Sequence, residues 1–289
     1  MSDELTTNPQ SVIRSPQSLA TPNPWQQLRR VTSARIALGR AGGSLPTAEL
    51  LDFQLAHARA RDAVSAPFDI AALSSQIEQL GLRTVGVQSA AGDHSTYLQR
   101  PDLGRRLSDA SRAALQSPDS SISAGEGNGK SPEIALIVSA GLSALAAQRQ
   151  VVPLLSVWLP LIETEGWTIS PVVLVEFGRV AIEDEIGALL QATAAVMLIG
   201  ERPGLGSPDS LGAYLVYAPR AGRTDAERNC VSNIRPEGLP PETAAVRIHH
   251  LVRESLRRKL SGVLLKDESI GPTGLPRAIT MASEHSNDN

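Results

Sequence analysis

The chain has 289 residues, enough for one large domain or two modest ones around a substantial core. Its net charge of −3 gives no general affinity for nucleic acid, and aromatics at 3% of residues offer few stacking platforms for single strands. A single cysteine, Cys230, excludes an internal disulfide framework and a multi-cysteine zinc site, and points to a reducing compartment.

No apolar run reaches the ~20 residues that span a bilayer. The polar, acidic N-terminus lacks the basic-then-apolar layout of a secretory signal. The expectation is a cytoplasmic protein with neither a membrane nor a nucleic acid as partner.

Residues 1–22 are rich in Ser, Thr, Asn, Gln and Pro and read as a disordered tail. Residues 23–117 read as a mainly helical N-terminal region. A first helix is expected over 24–39, with Leu28, Val31, Arg35 and Leu38 at helical spacing and Gly42-Gly43 ending it. A second follows Pro46, capped by Thr47 and burying Leu50, Leu51, Leu55 and Val64. A third covers 70–80, a strand covers 84–88, and a helix over 101–115 starts at Pro101.

Residues 118–132 form a Ser/Gly/Asp linker. It contains AGEGNGKS, one residue short of a phosphate-binding P-loop. Ala124 stands at the first glycine position, the motif precedes its strand, and the helix it should open is missing, so a flexible linker is the better reading.

From 133 to 266 the pattern changes to alternating strands and helices. Strands are expected over 134–139, 171–177, 194–199 and 211–217. Helices are expected over 142–150, 151–165 (perturbed by Pro160), 182–191 and 241–260, and the tail from 267 reads as disordered. This alternation predicts an α/β fold: a Rossmann-like, mostly parallel sheet with flanking helices, preceded by the helical region.

Self-contained catalysis finds little support. His249 and His250 are adjacent on a helix and point about 100° apart, so they do not readily share a metal ion. GLSAL at 141–145 lacks the nucleophile-elbow glycine. Glu183, Asp184 and Glu185 read as first-turn acids favoured by the helix dipole, and the doublets Arg29-Arg30 and Arg105-Arg106 as solvated helix faces.

Three loops remain. GRV (178–180) and GERPG (200–204) each follow an apolar strand. If those strands are neighbours, both loops lie along one carboxyl edge, where ligands bind in open α/β sheets. The polar stretch 225–239 reads as a loop carrying Cys230, either as a small buried hydrophobe or as a thiol lining a site. Together they suit a ligand that wants backbone amides, a few polar anchors and apolar walls.

At these residues the chain resembles a known family. FGRVAIEDEIGALL, LIGERPGLGSPDSLGAYLVYAPR and DAERNCVSNIRPEG, in this order and spacing, are similar to the small (light) subunit of ethanolamine ammonia-lyase. So are LRRVTSARIALGRAGGSLPT, LDFQLAHARARDAV and YLQRPDLGRRL, and the likeness covers residues 24 to 265. It implies a subunit, inactive alone, of an adenosylcobalamin-dependent lyase that converts ethanolamine to acetaldehyde and ammonia. The partner would be a large subunit that performs the radical chemistry, with this chain helping to bind and enclose the cobalamin. Carried over motif by motif, the cofactor contacts fall on Val180, Glu201 and Cys230, with no catalytic or metal-ligating residue in this chain. The implied location is the cytoplasm, with a bacterial microcompartment as its narrower form; whether the N-terminal tail serves as its address is left open.

Two departures stand out. The chain reads Ser139-Ala140-Gly141-Leu142-Ser143 where the family pattern is expected to read Ser-Asp-Gly-Leu-Ser, and the 118–132 linker is long. Two rival readings are an independent Rossmann-like nucleotide-binding enzyme, weakened by a missing GxGxxG turn, and an assembly subunit without cofactor contacts.

Overall fold

The computed structural model describes residues 23–32, 34–116 and 131–269. Expectations for the tail at 1–22, most of the 118–132 linker with its AGEGNGK segment, and the C-terminal tail from 270 lie outside the described residues.

Contacts divide the chain into two compact units, residues 1–58 and 59–289. The first holds a 3-10 helix, Pro24–Arg30, and most of helix α1, Thr47–Ser65. The 24–39 helix expected from spacing is therefore cut to two turns, ending before β-branched Val31 and Thr32, which disfavour helix. The expected burial along α1 is also corrected. Leu50, Leu51 and Leu55 are exposed, because the apolar positions lie round the helix and form no single stripe.

The second unit continues with α2 (Ile70–Glu78), β1 (Thr84–Gln88), α3 (His94–Gln99) and α4 (Asp109–Gln116). The helix expected over 101–115 is broken. At Gly104 a Cβ would meet Arg179 Cγ at 2.7 Å and the Phe177 carbonyl oxygen at 3.2 Å, so the chain passes there as a single 3-10 turn, Leu103–Arg105. After the linker come β2 (Ile134–Ser139), α5 (Ala144–Glu165), β3 (Val172–Glu176), α6 (Ile182–Leu189), β4 (Ala194–Gly200), β5 (Leu211–Tyr217), β6 (Arg228–Ile234) and α7 (Pro241–Arg258).

Two expectations change here. The pair of helices at 142–165 is one, α5, capped by Ser143, whose hydroxyl accepts from Ala146 N at 3.2 Å, and ended by Gly166 at φ 70°. Pro153 and Pro160 are carried inside it because one side is buried along its length. This helix is long and apolar enough to cross a membrane, but that side packs on β2, β4, β5 and α7 as a core helix does. The second change is β6, expected as a loop. Its polar sequence is that of an edge strand, with Arg228, Val231 and Ile234 buried among exposed or half-buried residues.

The sheet runs β1-β3-β2-β4-β5-β6. Pairings among β1, β3, β2 and β4 are parallel and the last two are antiparallel, giving the expected α/β, mostly parallel sheet with flanking helices. Strands β2 and β4 are buried on both faces and read as unbroken apolar runs. One apolar layer lies under α2, α5 and α7, the other under α4 and α6. On the first face α7 covers β5 and β6; on the second, α6 covers only β2 and β4. The α6-side face of β5 and β6 is open only around Tyr214 and Cys230, since Val216 and Arg228 on the same side are buried and Arg228 bonds Glu183 and Asp184 of α6.

Strands β3 and β4 are not neighbours, since β2 lies between them. They are parallel to it, so GRV and GERPG still leave the same carboxyl edge. Backbones are tightly apposed there: a Cβ on Gly200 would lie 2.1 Å from Ser143 O and 2.3 Å from Ala140 O. Gly141 (φ 57°) faces the same contact from the other side, where a Cβ would lie 2.0 Å from Gly200 O. The first glycine of GERPG is therefore a packing requirement. Gly200→Ala is expected to cost at least about 2–3 kcal/mol, lowering Tm by roughly 5–10 °C in a thermal melt. Gly206→Ala, where a Cβ meets nothing within 4 Å, should leave the melt unchanged.

Candidate functional site

The open face of β5 and β6 is one wall of a cavity of about 1200 Å³. Val180 and Cys230 both line it, with Tyr214, Arg228, Asp184 and Arg179 among their companions. Alternation along a strand explains the membership: Arg228 and Cys230 are two apart on β6, and Cys230 stands opposite Tyr214 of β5. Val180 comes from the turn that leads into α6, across the cavity floor.

Glu201 is not in the cavity lining but borders it. A Cβ at Gly212 would lie 3.0 Å from Glu201 Oε1 and 3.3 Å from Tyr214 Cε2, so carboxylate and ring share one patch over this glycine. Glu201 Oε2 accepts from the Ser210 hydroxyl and, at 3.2 Å, from Asn233 N, joining the end of β4 to β5 and β6. Oε1 has no protein donor among the described residues. Glu201, Tyr214 and Cys230 thus form one strip, and Val180 belongs to the same cavity lining; Tyr214 is the member that sequence reasoning missed. Strand alternation opposite Cys230 could have found it only once β6 was known as a strand.

The strip is electrostatically quiet. Desolvation pushes the Tyr214 hydroxyl up, with the neighbouring Cys230 and Glu201 adding to it. Desolvation likewise pushes the Cys230 thiol up, with the neighbouring Tyr214 hydroxyl opposing it. Cys230 is exposed to the cavity yet surrounded by protein mass, so it is a neutral thiol lining the site and no buried hydrophobe.

Beneath the strip lies a buried ionic cluster. Arg228 donates from Nη1 to Glu183 Oε1 at 2.9 Å and to Asp184 Oδ1 at 2.8 Å, and from Nη2 to Asp184 Oδ2 at 2.7 Å. Glu183 and Asp184 therefore do more than complement the helix dipole. Burial pushes Glu183 up to about 8, with the Asp184 charge adding to it and Arg228 opposing. At neutral pH its carboxyl is protonated, one guanidinium being matched by one carboxylate, and its Oε2 has no partner. Glu185 of the same turn faces elsewhere, accepting from Arg112 Nε at 2.6 Å and Leu107 N at 2.8 Å.

Among the described residues no histidine lines the cavity. His249 is buried, stacked on Trp167 at 5.1 Å and hydrogen-bonded with Glu165 at 3.1 Å. Among the described residues no three His, Cys, Asp or Glu side chains form a metal-binding group.

Comparison with known proteins bears on the same residues. The family model described as "Ethanolamine ammonia-lyase light chain (EutC)" matches residues 22–266. Proteins named ethanolamine ammonia-lyase small subunit are similar to the chain along most of its length. That of Azotobacter vinelandii is 57% identical over 255 residues, covering 88% of this chain and 92% of the relative. That of Pseudomonas fluorescens (strain SBW25) is 56% identical over 247 residues, covering 86% and 87%. That of Xanthomonas campestris pv. campestris (strain ATCC 33913) is 56% identical over 248 residues, covering 86% and 89%.

The protonated Glu183 has a measurable consequence. Its carboxyl titrates at an ordinary 4.5 when unfolded and at about 8 when folded. The folded state thus holds the extra proton between these values, and stability falls as pH rises through that window. The slope is at most about 1.4 kcal/mol per pH unit. Glu183→Gln, which cannot ionise, should show a shallower decline in urea-unfolding free energy from pH 5 to 8. Parallel curves for the two proteins would mean that Glu183 is ionised in the fold.

Proposed function

The chain belongs to the ethanolamine ammonia-lyase light-chain family, and from that premise we propose that it works with a large subunit to bind and enclose adenosylcobalamin in the cytoplasm. The complex would convert ethanolamine to acetaldehyde and ammonia. The observation that carries the reading is that Val180 and Cys230 line one roomy cavity while Glu201 stands beside Tyr214 of the same lining. A corrin is a broad disc fringed with amides. A cavity of about 1200 Å³ with neutral hydroxyl and thiol groups at Tyr214 and Cys230 suits that chemistry, and beside Tyr214, outside the lining, Glu201 offers an unpartnered carboxylate oxygen.

When bound, the cofactor supplies radical chemistry through homolysis of its cobalt–carbon bond. The residues of this chain bind and orient. Val180 gives an apolar contact, Cys230 and Tyr214 donate, and Glu201 accepts from amide N–H groups through Oε1. Glu201 is read as a binding contact, not as an acid or base. The first unit supports a chain completed by a partner: Ala56 is its one buried hydrophobic among the described residues, while Trp25 and Val31 are 67% and 82% exposed.

Reconstitution tests the reading. Purified chain, large subunit and adenosylcobalamin together should turn ethanolamine into acetaldehyde, and omission of the chain should abolish turnover and weaken cobalamin retention. Glu201→Ala should lower cobalamin affinity about tenfold in equilibrium dialysis while subunit assembly, followed by gel filtration, is retained. Cobalamin affinity equal to wild type in that variant would leave Glu201 a structural residue.

A further inference from the structure

Six arginines line the cavity against four carboxylates, and their pairing is uneven. Arg228 is spent on Asp184 and Glu183, Arg112 on Glu185 and Asp109, and Arg223 on Glu227. Asp102, the acid nearest the remaining three, is held by Arg100 through two bonds of 2.9 and 2.7 Å. Arg105 and Arg106 form no ion pair among the described residues, and both are exposed at the cavity wall.

Arg179 is set in place by its surroundings. Its backbone N donates to Gly104 O at 2.7 Å, its guanidinium lies 4.3 Å over the Tyr97 ring, and Nη2 donates to Tyr97 O at 2.9 Å. Its Nε is buried and has no acceptor. Gly104 immediately precedes Arg105 and Arg106, and the lack of a side chain there admits Arg179 against the turn. One preorganised and two adaptable guanidiniums therefore meet at one end of a cavity whose other cations are already neutralised.

We propose that Arg105, Arg106 and Arg179 form an anion seat for the phosphodiester in the nucleotide tail of the cofactor. The inference rests on the reading above and deepens it. Arginine presents a rigid fork of donors suited to phosphate oxygens, and an orphaned buried Nε gains most from such an acceptor. The seat lies beside Val180, so the strip through Cys230 and Glu201 takes the amide-fringed disc while the arginine end takes its charged tail. The doublet that reads from sequence as a solvated helix face thus acquires a ligand.

The test uses the assembled two-subunit complex and two ligands, adenosylcobalamin and adenosylcobinamide; the second lacks the phosphodiester and nucleotide. Dissociation constants are measured by equilibrium dialysis for wild type, for the double variant Arg105→Gln/Arg106→Gln, and for Arg179→Lys. The double variant should bind cobalamin roughly ten- to hundredfold more weakly, with cobinamide unchanged. Its cobalamin affinity should depend less steeply on salt. Arg179→Lys should lose part of that affinity with its melting temperature preserved. Millimolar inorganic phosphate should compete with cobalamin and not with cobinamide.

Equal losses for both ligands, or none, overturn the seat. So does phosphate that binds without displacing cobalamin, which would assign the arginines to free phosphate. Loss of subunit assembly in the double variant would assign them to carboxylates of the large subunit. If the chain makes no difference to either ligand in wild type, the reading above falls and the seat falls with it. If wild type binds both and the double variant matches it, the seat alone falls.

Discussion

Strand β6 is an edge strand, joined on one side to β5 and covered on one face by α7. On its other face the described tie to the rest of the fold is Arg228, which reaches into the first turn of α6 and bonds Asp184 twice and Glu183 once. The site depends on this tie. Cys230 is two residues from Arg228 on the same strand face, and Val180 is three residues before Glu183 on the way into α6. One guanidinium therefore fixes the spacing between two residues that approach the cavity from different elements. Taking the cluster out of water costs several kcal/mol per ion, and the attraction returns that only with good geometry. Here the geometry is bidentate, and protonation of Glu183 spares the fold a second buried negative charge.

The cavity itself follows from what the helices do not cover. Helix α6 lies on β2 and β4, where unbroken apolar runs demand burial on both faces. The β5–β6 ribbon alternates instead: Leu211, Ala213 and Leu215 turn to α5 and α7, and Gly212, Tyr214 and Val216 turn to the α6 side. A half-polar face of this kind can stay open without the penalty an apolar one would incur. Gly212 keeps the patch shallow, letting Glu201 and Tyr214 share it. The departure at Ala140 costs nothing visible, since Gly141 and Gly200 make the contact at that strand end and Ala140 is itself nearly buried.

Sequence read the fold best where the physics is local and strong. The four buried runs became β2 to β5, and Ser143 and Gly166 bound α5 as caps should. Reading failed where tertiary contact overrides spacing, as in the one helix α5 between Ser143 and Gly166, which spacing splits at 150. The 101–115 helix breaks because Arg179 needs room at Gly104, a residue 75 positions away. The α1 leucines looked like a core stripe because an exposed apolar helix and a buried one differ only in what surrounds them. Strand β6 went unseen because an edge strand over a polar cavity needs few apolar residues. Of the residues proposed from family motifs, Val180 and Cys230 line one cavity and Glu201 stands beside Tyr214, but Tyr214 has no motif of its own, and the pairing state of Arg105 and Arg106 is a property of the folded surface alone.

The chemistry left on the strip argues for binding and against an independent catalyst. Proton transfer at neutral pH needs a group that titrates near 7 within reach of the reacting atom. Tyr214 and Cys230 are both pushed up by desolvation and stay protonated. Glu183, at about 8, is fully buried behind Arg228 and meets no ligand. Glu201 has one oxygen committed to Ser210 and Asn233, which holds it where it stands. What remains is a set of fixed neutral donors, one fixed acceptor and a cationic end. Such a surface can grip and orient a large polar ligand without competing for its protons.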